Sequence, residues 1–120
     1  MIDEIDFSSD TFEDITGRDS RYDARAYALL MDCINYLGRD SAHMSGEDIA
    51  DEFRERTLDQ YGPLSYDVLT EWGLKATEDI GEMMINLTES GRVRRDEGDS
   101  QESFSGCYDF REAFLGPFQT

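Results

Sequence analysis

The stretch LTEWGLKATEDIGEMMINLTESGRV, residues 69–93, carries the pattern that decides the predicted fold. Gly73 can adopt the left-handed conformation that ends a helix, and Leu74 can then pack back on that helix. Beyond the turn, Thr77 is a candidate N-cap, and apolar side chains then recur at helical spacing as far as Gly91. These side chains are Ile80, Met83, Met84 and Leu87. The stretch therefore predicts two helices joined by a tight turn, with a strand directly after the second helix.

Beyond a short helix that Ser9 or Asp10 could cap in the N-terminal arm, three helix starts are predicted upstream of that turn. Ser20 is a candidate N-cap and Gly38 a candidate C-terminal stop for a first long helix. Ser45 lies three residues before Asp48, close to a capping-box arrangement, and predicts the start of a second helix. Pro63 suits the first position of a third helix that ends at the turn. The side chains expected to face inward from this third helix are Leu64, Val68, Leu69 and Trp72.

The residues downstream of the stretch predict a β-hairpin and a last short helix. RVRR, residues 92–95, would form one strand, DEGDS the tip, and ESFSGCYDF, residues 102–110, the other strand. Asp109 with Glu112 can then cap a short helix. The predicted fold class is α+β, mostly α, with four to five helices and a C-terminal β-hairpin.

The predicted order of elements resembles the winged-helix architecture of small transcriptional regulators, which has two helices, a tight turn, a third helix and two strands. Several motifs also resemble a small uncharacterised bacterial family restricted to planctomycetes and verrucomicrobia. They are RYDARAY, HMSGEDI, QYGPLSYDVLTEWG, TEDIGEMMINL and CYDFREAF, and they cover the chain from about Arg18 onward. The resemblance implies a cytosolic single-domain protein, with no activity, cofactor or catalytic residue to carry over.

Length and charge narrow the classes of function. The 120 residues suit one domain, which we place at residues 20–120 behind an acidic N-terminal arm, residues 1–19. The 28 acidic and 11 basic side chains give a net charge of -17, which repels nucleic-acid phosphates and anionic membranes and attracts basic partners. The chain shows neither a signal-peptide pattern nor an apolar run of membrane-spanning length. We therefore expect a cytoplasmic protein with Cys33 and Cys107 reduced, and Cys33 in the core.

The second helix of the stretch carries charges of the wrong sign for reading DNA. Its polar positions are Glu78, Asp79, Glu82, Asn86 and Glu89. The nearby cations are Lys75, Arg92, Arg94 and Arg95. Since operator-binding proteins neutralise about six to ten phosphates, direct DNA binding is disfavoured. Any nucleic-acid contact would run through the predicted wing, residues 92–95.

Catalysis and metal binding have little support in the sequence. Asp96, Asp99 and Glu102 lie close together, but Gly98 comes too early for a calcium loop. The single histidine, His43, has no His or Cys neighbour in sequence with which to bind a transition metal. No phosphate loop, dinucleotide fingerprint or nucleophile motif is present. We expect no enzyme activity, no metal and no cofactor.

Two function classes remain from the sequence alone. The first is a protein-interaction or adaptor module whose acidic positions, Glu78 to Glu89, bind a basic protein partner. The second is a transcriptional regulator that contacts nucleic acid through the predicted wing. Because winged-helix modules often dimerise, a homodimer is a further expectation. Met44, Met83 and Met84 could line a contact surface or fill the core, and the core is favoured.

Overall fold

The computed structural model describes residues 10–38, 44–94 and 101–119. Within these ranges every regular element is helical. The α-helices are α1 Glu13–Thr16, α2 Ala24–Gly38, α3 Gly46–Tyr61, α4 Ser65–Glu71, α5 Thr77–Glu89 and α6 Phe110–Phe114. Three 3₁₀ turns are Gly62–Leu64, Gln101–Phe104 and Gly116–Phe118. The protein is therefore a helical fold over all the residues that are described.

The predicted β-hairpin is wrong, and with it the α+β, winged-helix-like fold class. Residues 92–94 pair with no strand in the described part of the chain, and the expected second strand is a 3₁₀ turn followed by tight turns. Side chains of α5 supply the hydrogen bonds that a neighbouring strand would have made. Thr77 Oγ1 donates to the Phe104 carbonyl at 2.5 Å and accepts from the Cys107 amide at 3.2 Å. The predicted hairpin tip, residues 96–100, lies outside the described residues.

The predicted turn between the two helices of the opening stretch is confirmed. Gly73 has a φ of 101°, and the Leu74 amide donates to the Leu69 carbonyl at 2.9 Å, which is the long bond of a Schellman cap. Leu74 is fully buried, as the packing of such a cap requires. The capping box at the start of α3 is also confirmed, because Ser45 Oγ accepts from the Asp48 amide at 3.0 Å and the Asp48 carboxylate accepts from the Ser45 amide.

Some predicted boundaries and orientations are wrong. The first long helix begins at Ala24, four residues after the proposed Ser20 cap. Thr77 is the first residue of α5 and not its cap, and its hydroxyl points into the core. Leu64 was expected to face inward, but it ends a 3₁₀ turn with its side chain 62% exposed. Propensity alone could not distinguish that short turn from the first turn of α4.

The core is a single cluster formed mainly by α2, α3 and α5, with Phe110 and Phe114 added from α6. Its largest fully buried side chains are Tyr27, Phe53, Phe104, Phe114, Ile15, Leu30, Ile49, Leu69, Leu74, Ile80, Met83 and Leu87. Met44, Met83, Met84 and Cys33 are also buried, which confirms their assignment to the core. Burying a side chain of this size contributes roughly 1.5–3 kcal/mol each. The core therefore holds the polar faces of α3 and α5 at fixed positions on the surface.

The 3₁₀ turn Gln101–Phe104 lies against both α3 and α5, and two glycines make that close approach possible. A β-carbon at Gly46 would stand 2.6 Å from the β-carbon of Ser103, and one at Gly81 would stand 3.1 Å from the Gln101 carbonyl oxygen. Since real β-carbons avoid such distances, larger residues would force the turn away from these helices. Phe104 is inserted into the core at this point.

Candidate functional site

The acidic positions predicted to bind a partner share one face of α5, and two segments cover that face. From one side, the Tyr22 hydroxyl donates to the Asp79 carboxylate at 2.5 Å, and the Arg21 guanidinium lies 3.2 Å from Glu82. From the other side, residues 101–106 approach the same helix. The Gly106 amide donates to Glu78 at 3.1 Å, and the Gln101 side-chain amide donates to Glu82. The carboxylates thus bind other parts of the same chain.

Asn86 extends this internal network toward the core. Its side-chain amide donates to the Asp19 carboxylate at 2.9 Å and to the Tyr27 hydroxyl at 3.0 Å. The Arg21 guanidinium and the Asn86 amide hold the pKa of Asp19 well below its usual range. Burial and the Asp79 carboxylate raise the pKa of Tyr22 above its usual range. These partners keep Asp19 ionised and Tyr22 protonated at neutral pH.

Four of the five predicted residues on α5 therefore serve the fold itself. The fifth, Glu89, is exposed and lies 3.9 Å from the Arg18 guanidinium, a long and solvated ion pair. That this face binds a partner stays a prediction. The contacts of this face join residues 19 to 67 positions apart in sequence, and no local sequence pattern predicts pairs at such separations.

The predicted nucleic-acid cations do not form one patch among the described residues. Lys75 is exposed before α5, and Arg92 and Arg94 follow its other end. The thirteen residues of α5 separate these two positions by about 20 Å. Arg95 lies outside the described residues. A continuous basic surface on this side of α5 is therefore not formed by these side chains.

Arg92 is held by the N-terminal part of the chain. Its guanidinium donates to the carboxylates of Asp10 and Asp14 over distances of 2.8 to 3.0 Å. It also lies 4.8 Å above the ring of Phe12, which has a left-handed backbone conformation with φ 58°. Hydrogen bonds from Arg92 lower the pKa of both carboxyl groups. Arg92 thus joins the N-terminal segment to the end of α5.

α3 carries a row of acidic side chains that we call the acidic ridge, formed by Glu47, Asp51, Glu55 and Asp59. All four are exposed, at intervals of four residues along one helix face. The opposite face of α3 is buried through Ile49, Ala50, Phe53 and Thr57. The ridge was not among the predicted site residues, although its spacing is visible in the sequence GEDIADEFRERTLDQ.

An open cleft of about 340 Å³ lies beside the ridge, between α2 and α3. It is lined by Tyr36, Glu52, Glu55, Arg56 and Asp59. The Arg56 guanidinium lies 5.4 Å from the Tyr36 ring centre and 3.0 Å from Glu52, so the cleft already holds one guanidinium between an aromatic ring and a carboxylate. Tyr36 remains 51% exposed. Burial beneath this cleft raises the pKa of the Cys33 thiol to about 12, which leaves it protonated and unreactive.

A second open groove, of about 420 Å³, lies between α2, the residue before the α3 cap, and the segment after α5. Its described lining comprises Met31, Ile34, Asn35, Gly38, Met44, Arg92, Val93 and Arg94. Ile34, Met44 and Val93 are buried and form an apolar floor, while Arg94 is exposed. The described lining thus combines an apolar floor with Arg92, which Asp10 and Asp14 bind, and with Arg94.

The described ranges contain neither a metal-binding cluster nor a membrane-spanning helix. No three His, Cys, Asp or Glu side chains there are placed to hold a metal ion together. None of the helices in those ranges is long and apolar enough to span a bilayer. His43, Asp96 and Asp99, which the sequence raised as metal candidates, lie outside the described residues. Comparison with protein-family models, curated proteins and solved structures gave no match.

Proposed function

We propose that this chain is a small protein-interaction module that binds a basic segment of a partner protein through the acidic ridge of α3. The observation that carries the proposal is the row of four exposed carboxylates on one face of a helix whose other face is buried. The corresponding polar face of α5 is occupied by other parts of the chain. The proposed binding face therefore differs from the one predicted from the sequence.

Neighbouring carboxylates of the acidic ridge repel one another, and binding of a basic partner would reduce this repulsion. Like charges four residues apart destabilise a helix by about 0.2–0.5 kcal/mol per pair, and the ridge contains three such pairs in sequence. Arg54 offsets part of this through a 3.1 Å contact with Glu55. Cations from a partner would reduce the remaining repulsion. The same charges would accelerate association and make it sensitive to salt.

The cleft beside the ridge supports the same proposal. Tyr36, whose ring already packs against the Arg56 guanidinium at 5.4 Å, lies next to Glu55 and Asp59. Aromatic faces and carboxylates are the two groups that attract Arg and Lys side chains in proteins. Because α3 is packed on the core, these groups are already in position, which lowers the entropic cost of binding. A basic segment along α3 would place a side chain in the cleft.

Nucleic-acid binding remains the alternative prediction, with less support. The net charge of -17 repels a phosphate backbone, and the Arg92 guanidinium is bound by two carboxylates of the same chain. Of the cations predicted to contact nucleic acid, Lys75 and Arg94 are exposed in the described ranges, and they flank opposite ends of α5. A basic protein segment fits the distribution of charge better.

Charge reversal tests the proposal with a matched control. One variant carries Asp51→Lys and Glu55→Lys on the ridge. The control carries Asp67→Lys and Glu71→Lys, two exposed residues with the same spacing on α4. Both variants change the net charge equally. Proteins bound by the full chain in extracts of its native cell are isolated, and their basic segments are mapped by cross-linking.

We expect the ridge variant to lose its cross-linked basic partners and the α4 control to retain them. Equal loss from both variants would mean that net charge alone governs binding. Full retention by the ridge variant would place the interaction elsewhere. Either result contradicts the proposed function.

A further inference from the structure

Residues 10–23 run along the polar face of α5 in the direction opposite to the helix. Side chains of the two segments pair in reverse order, from just beyond the C-terminal end of α5 back to its first turn. The pairs are Asp10 and Asp14 with Arg92, Arg18 with Glu89, Asp19 with Asn86, Arg21 with Glu82, and Tyr22 with Asp79. The segment is therefore held at several points along α5, and its two ends are held in different ways.

The end next to α2, residues 19–23, is fixed by backbone contacts, and we call it the anchor. The Asp23 amide donates to the Trp72 carbonyl at 3.0 Å. The Arg21 carbonyl lies so close to Gly73 that a β-carbon there would collide with its oxygen. Because these contacts use the backbone of the cap that ends α4, the anchor cannot move without disturbing that helix.

The other end, residues 10–18, has little structure of its own, and we call it the strap. Its only helix is the single turn of α1, which is too short to persist without docking. Phe12 has a φ of 58°, a left-handed conformation that strains a bulky residue. The ion pair of Arg18 with Glu89 is 3.9 Å long, and both side chains are about half exposed, so it contributes little.

Two kinds of contact hold the strap closed. Phe12 and Ile15 are buried, and the Phe12 ring stacks on the Tyr27 ring with 5.8 Å between their centres. The Arg92 guanidinium donates to both aspartates of the strap and lies 4.8 Å above the Phe12 ring. Loss of this one guanidinium would therefore remove the polar contacts and uncover the ring at the same time.

We propose that the strap opens as one unit from the Arg92 end while the anchor stays bound, and that Arg92 is the side chain that limits this opening. Segments with few buried contacts open locally, below the free energy of global unfolding. Opening exposes one face of the Tyr27 ring, which is fully buried when the strap is closed, and releases the Arg92 guanidinium. The strap thus controls access to an aromatic and cationic surface. This inference is independent of the acidic ridge, which lies on α3.

Native-state hydrogen exchange, followed by NMR on the full chain, tests the proposal. Four amides report strap opening, because each donates to a strap carbonyl over 2.8 to 3.0 Å; they are those of Thr16, Gly17, Arg18 and Asp19. The Asp23 amide reports the anchor. After correction for intrinsic rates, we expect the four to share one opening that is at least about tenfold more frequent than that of the Asp23 amide. Equal protection of all five amides would mean that the strap is not a separate unit, and the proposal would be wrong.

Replacement of Arg92 tests its role, with a matched control elsewhere in the chain. Arg92→Met should accelerate exchange of the four strap amides by at least about tenfold, since hydrogen bonds to charged groups are lost, and should leave the Asp23 amide unchanged. The control is Arg54→Met, because Arg54 also contacts a carboxylate, Glu55 at 3.1 Å, and an aromatic ring, Tyr108 at 5.6 Å. It should not change exchange in the strap. Equal acceleration of strap and anchor by Arg92→Met would contradict the proposal.

A milder variant decides the matter if Arg92→Met does not fold. Asp14→Ala removes one of the two carboxylates at an exposed position and leaves Arg92 bound to Asp10. We expect a smaller acceleration of the same four amides, of about three- to tenfold, with the Asp23 amide again unchanged. Strap exchange that stays at the wild-type rate in this variant would overturn the proposal.

Discussion

The acidic faces of α3 and α5 contain the same kinds of side chain but play different parts in the molecule. On α5, Asp79 and Glu82 accept hydrogen bonds from residues far away in sequence. On α3, Asp51 and Asp59 face solvent. What distinguishes the two helices is whether another segment of the chain lies opposite the carboxylates. An acidic helix face is therefore a candidate binding surface only after its internal partners have been identified.

The largest expected effect comes from truncating Phe104, the side chain that anchors the segment covering α5. Phe104→Ala should destabilise the protein by about 3–5 kcal/mol, because it leaves a cavity beneath the turn Gln101–Phe104. Phe118→Ala is the matched control, since that ring is 42% exposed and should change the free energy of unfolding by less than about 1 kcal/mol. Urea unfolding of both variants measures the difference. Equal effects would mean that the covering segment contributes no more than an exposed turn.

Removing one covered carboxylate should have the next largest effect. Asp79→Ala removes the acceptor for the Tyr22 hydroxyl and for the amides of Lys75 and Ala76, at 2.5 to 3.1 Å. We expect a loss of about 2–3 kcal/mol, as a lost cap and an unsatisfied buried hydroxyl combine. Asp51→Ala on the ridge should be nearly neutral. A similar loss for both, in the same chemical denaturation experiment, would remove the distinction between the two faces.

The covered face should also give the protein a specific dependence on pH. Because the folded pKa of Asp19 is lowered, its stabilising contribution is complete above its unfolded pKa of about 3.9 and is lost as the pH falls further. Asp19→Asn should therefore be less stable than the wild-type chain by about 1 kcal/mol at pH 7. The gap should close below about pH 4. Unfolding free energies measured from pH 7 to pH 3 test this, and a gap independent of pH would contradict it.

The smallest expected effect has the opposite sign and concerns the ridge. Asp51→Asn removes repulsion with Glu47 and Glu55 and should stabilise the protein by about 0.4–1 kcal/mol at low salt. The gain should disappear in high salt, where exposed charges are screened. Thermal unfolding at two salt concentrations measures it. A loss of stability at low salt would mean that Asp51 makes a favourable contact within the fold.

Local signals in the sequence predicted the helices well. The Ser45 capping box, the Gly73 turn and the Asp109 cap each depend on residues a few positions apart, and each is present in the structure. ESFSGCYDF was misjudged because its aromatic residues favour a strand, whereas Phe104 is inserted into the core and Thr77 satisfies its backbone. The contact that covers Asp79 on the polar face of α5 could not be predicted either, since its partner Tyr22 is 57 positions away in sequence.

The contacts of Arg92 with Asp10 also close a chain loop of 82 residues without a covalent bond. A disulfide across a loop of this size would contribute roughly 4–5 kcal/mol in the chain-entropy model, but it would need an oxidising environment. A guanidinium held by two carboxylates contributes less and works equally well where thiols stay reduced. It can also open and close again without a redox partner. The N-terminal segment and the residues after α5 are thus joined by a reversible link whose strength depends on salt and acidity.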